Sequence, residues 1–134
     1  MRPTKGPAIL TGTMSVRVLL VDDNVRFLDA ARALLEREGF TVVASVSTTA
    51  DAVAAIATTD PDVALVDVDL GPESGFDVAK RLTADSDRPT VVLISTYAEQ
   101  DLKDLIDASP AVGFLSKSKL SGDAVRALLA RPDR

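Results

Sequence analysis

A doubly wound α/β domain is the fold this sequence predicts, and three observations predict it. Short runs of Val, Leu and Ile recur along the chain, apolar on both faces and too short for helices. That is the pattern of parallel strands buried on both sides. Helix-length stretches with apolar residues three and four apart separate them. The strand–helix alternation holds through five strands and five helices, which calls for a three-layer αβα sandwich around a parallel sheet. Right-handed crossovers then leave few topologies.

Val16-Arg17-Val18-Leu19-Leu20-Val21 is the first strand, too apolar for a sheet edge. Asn24 to Glu38 carries Phe27, Leu28, Ala31, Leu34 and Leu35 at helical spacing and stops at Gly39. Phe40 to Val46 reads as the second strand. Ala-rich Thr48 to Ala57, with Val53 and Ile56 on one face, reads as the second helix, broken by Asp60-Pro61. Asp62-Val63-Ala64-Leu65-Val66 is a third, buried strand. A turn from Gly71 to Gly75 leads into a helix from Phe76 to Leu82. Pro89 introduces the fourth strand, Thr90-Val91-Val92-Leu93-Ile94. Glu99 to Ala108 is helical, Ala111 to Leu115 is a short fifth strand, and Ser121 to Ala130 closes as a helix before Pro132.

Composition narrows the functions. At 134 residues the chain is one domain, and 46% apolar residues rule out disorder. A net charge of −5 argues against a nucleic-acid surface, and no apolar stretch of about 18 residues exists to span a membrane. Residues 1–15 read as a flexible leader to a domain at 16–134, with Met14 an alternative start. Their one apolar patch, Ala8-Ile9-Leu10, is too small for a signal peptide, which implies the cytoplasm. Cysteine and histidine are both absent. Thiolate chemistry is therefore excluded, and any metal must be oxygen-ligated, which favours Mg²⁺, Mn²⁺ or Ca²⁺. Any phosphohistidine must come from another protein.

In a doubly wound sheet, ligands bind beyond the carboxyl ends of the strands. Strand one ends in Asp22-Asp23, strand three in Asp67 and strand four in Ser95, while strand five runs through Phe114 to Lys117. Strand two ends in the uncharged Ser47-Thr48-Thr49. If strands one, three, four and five are neighbours, one rim holds three carboxylates, a hydroxyl and an ammonium. Such carboxylates repel and resist joint ionisation. A hard cation relieves that and leaves one carboxylate a usable nucleophile towards phosphorus. Phosphoryl transfer then needs mainly charge neutralisation, which Lys117 and a Ser95 hydrogen bond can supply.

Each residue alone has a plainer reading. Asp22-Asp23-Asn24 suits a helix cap, Asp67 a turn, Ser95 a loop hydroxyl, Lys117 a solvated charge and Phe114 the core. Their joint placement at successive strand ends favours a site. Asp85-Ser86-Asp87 and Asp101 to Asp107 read as solvated faces.

The pattern resembles the receiver domain of two-component response regulators, over Val16 to Arg131. The matching stretches are Val18-Leu19-Leu20-Val21-Asp22-Asp23-Asn24, Pro61 to Leu70, Val92-Leu93-Ile94-Ser95-Thr96 and Gly113-Phe114-Leu115-Ser116-Lys117-Ser118. The resemblance implies the flavodoxin-like strand order 2-1-3-4-5. It implies Asp67 as phosphoacceptor, and Asp22, Asp23, Asp67 and the backbone carbonyl of Asp69 as the Mg²⁺ site, with Mn²⁺ as a substitute. It implies Ser95 as switch hydroxyl, Phe114 as switch aromatic and Lys117 as the phosphate-binding lysine. The implied donor is a histidine kinase or a histidine phosphotransfer protein, and the chain is a self-dephosphorylating phosphoprotein rather than a turnover enzyme. Ser95 and Phe114 then move inward and repack the face of helix four, strand five and helix five. Output to transcription and a homodimer are open, with no direct nucleic-acid contact by this domain and no membrane.

Three features depart from the family. Gly71 stands where a proline is usual, Ser118 follows Lys117 where a cis proline is common, and Thr96 replaces a small residue after Ser95. Ser118 leans towards receivers of helix-turn-helix regulators, including the LuxR/NarL type. Two other readings compete. Asp67-Val68-Asp69 also resembles the nucleophile motif of haloacid-dehalogenase-like phosphatases, but there the nucleophile leads and the acidic pair comes last. A receiver fold used only for binding, without phosphorylation, is the other.

Overall fold

The computed structural model describes residues 15–86 and 88–130. All of the expected leader except Ser15 lies outside the described residues, as do Asp87 and the chain from Arg131 onward. Five parallel strands, β1 (Arg17–Val21), β2 (Thr41–Val46), β3 (Val63–Asp67), β4 (Thr90–Ser95) and β5 (Gly113–Ser116), form one sheet in the order β2-β1-β3-β4-β5. This is the flavodoxin-like order. The order reverses between β1 and β3, so the carboxyl ends that carry Asp22-Asp23 and Asp67 are adjacent.

Five α-helices connect and cover the strands: α1 (Val25–Arg37), α2 (Thr49–Thr59), α3 (Gly75–Leu82), α4 (Lys103–Asp107) and α5 (Gly122–Leu129). Strand alternation divides the core in two. Val18, Leu20, Val63, Leu65, Val92 and Ile94 pack with Leu28, Ala31 and Leu35 of α1 and Val125 of α5. Leu19, Val21, Ala64, Val66, Val91 and Leu93 pack with residues of α2, α3 and α4, among them Ala52, Val78 and Ile106. Four helices begin at a side-chain cap. Asn24, Thr48, Ser74 and Ser121 accept the amides of Phe27, Asp51, Phe76 and Ala124 at 3.0–3.1 Å.

Two elements differ from the sequence reading. The expected helix from Glu99 to Ala108 splits into a 3₁₀ turn, Glu99–Leu102, and the five-residue α4. Its start has no side-chain cap, and α4 buries Ile106 alone while Leu105 is exposed, so little holds a longer helix in place. The turn from Gly71 to Gly75 overlaps a short hairpin that begins before it, with the two-residue strands Asp69–Leu70 and Glu73–Ser74 paired antiparallel. Gly71 sits at its tip with φ +72°, a value proline cannot adopt. The family's usual proline is thus replaced by a differently shaped turn. Asp85, Ser86, Asp101, Asp104 and Asp107 are exposed, as the solvated-face reading expects.

Candidate functional site

β1, β3, β4 and β5 deliver their terminal residues to one cleft of about 310 Å³. Asp23, Asn24, Asp67, Asp69, Gly71, Ser95, Thr96, Tyr97 and Lys117 line it. One carboxylate oxygen from each of Asp22, Asp23 and Asp67 lies within 4.8 Å of the other two. Asp22 and Asp67 are buried and Asp23 is exposed, so the trio opens to solvent on one side.

The buried members are held by backbone amides. Asp22 Oδ1 accepts the Asn24 amide at 2.8 Å, and Asp67 Oδ1 accepts the Asp69 amide at 3.1 Å. Their other oxygens face Lys117, whose Nζ lies 2.7 Å from Asp22 Oδ2 and 3.1 Å from Asp67 Oδ2. The contact with Asp22 Oδ2 lies off the geometry of a regular hydrogen bond, which leaves that buried oxygen without one among the described residues. Lys117 Nζ also sits 4.4 Å from the centroid of the Phe27 ring.

These contacts set the charges. Burial raises the Asp67 carboxyl above its ordinary 3.8; the Asp69 amide lowers it again, the negative Asp22 raises it, and Lys117 lowers it, with a net upward result. Burial pulls the Lys117 ammonium down, but its contacts with Asp22 and Asp67 outweigh that and leave it above its usual 10.5. The site therefore holds one firmly charged ammonium against three carboxylates. An octahedral hard cation with ligands at about 2.1 Å sets neighbouring ligands about 3 Å and opposite ones about 4 Å apart. The all-oxygen donor set, its near spacing and the buried Asp22 oxygen fit such a cation.

Residues 18–128 match the response regulator receiver domain. The chain belongs to the receiver family. The nitrate/nitrite response regulator protein homolog of Haemophilus influenzae is 35% identical over 104 residues, covering 76% of this receiver and 50% of that protein. Response regulator UvrY of Escherichia coli K12 is 27% identical over 114 residues, 84% of this receiver and 52% of UvrY. The chain thus spans about half the length of these relatives. Among solved structures, the signal receiver domain of NarL from Mycobacterium tuberculosis matches with TM-score 0.74 and 27% identity, covering 87% of this receiver and 98% of that domain. A LuxR-family regulator from Aurantimonas sp. SI85-9A1 matches with TM-score 0.76 and 23% identity, covering 87% and 84% of the two chains. No described helix of the receiver is long and apolar enough to cross a membrane.

Of the residues singled out in the sequence, Asp23, Asp67, Asp69, Ser95 and Lys117 line the cleft, and Asp22 lies buried beside them in the acidic trio. Ser95 is buried, and its Oγ accepts the Tyr97 amide at 2.9 Å. Phe114 is also buried, packed in the cluster that contains Leu93 and Ile106. Two residues at or near the site escape sequence reading. Phe27 fits the apolar stripe of α1, so its second role beneath Lys117 has no sequence signal. Gly75 carries a backbone constraint: a Cβ there would lie 2.0 Å from the Asp67 carbonyl oxygen, so only glycine lets α3 start against the end of β3.

Proposed function

We propose that this receiver is a phosphorylatable switch in which Asp67 accepts a phosphoryl group from a histidine kinase or histidine phosphotransfer protein. The observation that carries this reading is the position of Asp67, buried at 5% exposure, amide-bonded through one oxygen and facing Lys117 through the other. An Asp67 carboxylate oxygen attacks the phosphorus of the donor's phosphohistidine. The new O–P bond forms as the N–P bond breaks, and the electron pair leaves on the imidazole nitrogen, which takes a proton from solvent. Lys117 transfers from Asp67 Oδ2 to a phosphoryl oxygen. Ser95 Oγ uses a lone pair for the Tyr97 amide, so its own proton remains to donate to another phosphoryl oxygen. Hydrolysis of the acyl phosphate returns the carboxylate.

Asp22, Asp23, Asp67 and the carbonyl of Asp69 hold Mg²⁺ in this reading, with Mn²⁺ as a substitute. The ion supplies charge neutralisation for the carboxylates and the transferred group. Ser95 and Phe114 act as the switch pair and repack the α4–β5–α5 face. The receiver works in the cytoplasm as a domain of residues 16–134 after a leader, without turnover catalysis, and signals to an output domain or partner that directs transcription. The reading allows a homodimer and assigns the domain itself no direct nucleic-acid contact.

Incubation with acetyl phosphate and Mg²⁺, followed by intact-mass measurement, tests the proposal. One acyl phosphate should appear on the wild type and none on Asp67→Asn. Equal labelling of the two proteins overturns it, as does rapid turnover of diverse phosphate monoesters.

A further inference from the structure

The corner after β2, Ser47-Thr48-Thr49, is a strand end without charge, yet it touches the site loop. Thr48 caps α2 through the Asp51 amide. Thr49 does something different: its backbone amide and its hydroxyl both donate to Glu73 Oε1, at 2.8 and 2.9 Å. Glu73 lies in the hairpin that follows Asp67, paired with Leu70 and one residue from Ser74, the partner of Asp69. The contact spans 24 residues of sequence and is partly buried.

The loop has few other polar ties. Asp69 and Gly71 line the cleft. The amide of Val68 ties the start of the loop to the Ile94 carbonyl of β4. Beyond it the amide of Asp69 bonds to Asp67, that of Gly71 to Asp69 Oδ1, and that of Gly75 to the Val68 carbonyl, so these bonds hold the hairpin to nothing past β3 and the loop. Leu70 is buried in the core, but a side chain in an apolar pocket does not fix the direction of a neighbouring carbonyl. Gly71 and Pro72 form the tip, one with the widest backbone freedom and the other with no amide to donate. Glu73 reaches out of the loop to a neighbouring element, and it does so with a charge-assisted bond at a helix N-terminus that favours an anion.

We propose that Glu73 is a positioning residue for the metal site: its bonds to Thr49 fix the hairpin and with it the Asp69 carbonyl at the cleft. The inference rests on the Mg²⁺ site proposed above. Loss of the bond should therefore weaken cation binding while leaving the acidic trio in place.

Tyr97 lines the cleft and is the sole tyrosine of a chain without tryptophan, so its fluorescence reads a Mg²⁺ titration of the intact protein. Glu73→Ala should weaken Mg²⁺ binding about tenfold, the range in which outer-shell partners act. Glu73→Gln removes the charge but keeps an oxygen for both Thr49 donors, and should recover most of the affinity. Thr49→Val loses the hydroxyl bond and keeps the amide bond, so its loss should be about a third to a half as large on a logarithmic scale, and combining it with Glu73→Ala should add little. Melting curves without Mg²⁺ identify any variant that fails to fold, in which case Thr49→Val and Glu73→Gln carry the test. Equal losses in Glu73→Gln and Glu73→Ala make the effect one of charge and overturn the inference, as does wild-type affinity in both Glu73→Ala and Thr49→Val. A wild type that shows no Mg²⁺ binding overturns the metal site itself, a separate outcome.

Discussion

The Lys117 ammonium meets two carboxylates and the face of the Phe27 ring. Under the proposed phosphorylation the carboxylates would compete with the phosphoryl oxygens for Lys117, whereas the ring holds it without forming an ion pair. A cation over an aromatic face is worth about 0.5–2 kcal/mol, more where water is excluded. Phe27→Leu preserves an apolar side chain in α1 but removes the ring quadrupole. It should slow phosphorylation by acetyl phosphate by about three- to tenfold, in keeping with that energy, while Phe27→Tyr should stay near wild type. Stopped measurements of acyl-phosphate formation check this, and equal rates for Leu and Phe would reduce the ring to packing. Sequence periodicity assigns Phe27 to the core, and it does pack against that cluster. The cation contact is invisible there because Lys117 is 90 residues away in sequence.

At the scale of elements, two glycines set the junction between β3 and α3. Gly75 abuts the Asp67 carbonyl, and a methyl group there must push the helix off the strand. Gly75→Ala should destabilise the domain by about 3 kcal/mol or more, the range of severe overpacking. Gly71 has positive φ and open space apart from Asp23 Oδ2, 3.4 Å from a Cβ. Gly71→Ala should cost only about 1–2 kcal/mol of backbone strain. Urea titrations that rank the two in the opposite order would contradict this assignment. The sequence marks both as turn glycines and does not rank them, because the difference lies in what each approaches in space. The same limit applies to α4: its residues have helical composition, but only Ile106 finds a buried place.

For the whole molecule, stability is linked to the site. The folded protein raises the Asp67 pKa above the ordinary 3.8, so folding disfavours its ionised form. That penalty is fully present above the folded pKa. It is relieved as pH falls through the folded value towards 3.8, so the stabilising contribution of the protonated group is lost as pH rises. Asp67→Asn cannot ionise. Without Mg²⁺ at pH 7 its Tm should therefore exceed that of the wild type, by roughly 4 °C for each kcal/mol relieved. The gap should narrow as pH is lowered into the range where Asp67 binds its proton. Mg²⁺ should narrow it too, by stabilising the wild type through mass action. Calorimetric melts across pH, with and without the ion, measure both trends, and a lower Tm for Asp67→Asn at pH 7 would refute the sign.

The sequence by itself determined the alternating α/β architecture, since doubly buried strands and amphipathic helices each write a local period into the chain. It also determined the identity of Asp22, Asp23, Asp67, Ser95 and Lys117 as strand-end polar groups, because a charge beside an apolar run is conspicuous without coordinates. Only the tertiary structure decided how those groups meet: which oxygens face Lys117, that Phe27 lies beneath it, and that Glu73 ties the loop after Asp67 to Thr49. These are contacts between residues distant in sequence, set by which strands are neighbours and by the room around each backbone. Periodicity records which face of an element is buried, but it does not record what that face will touch.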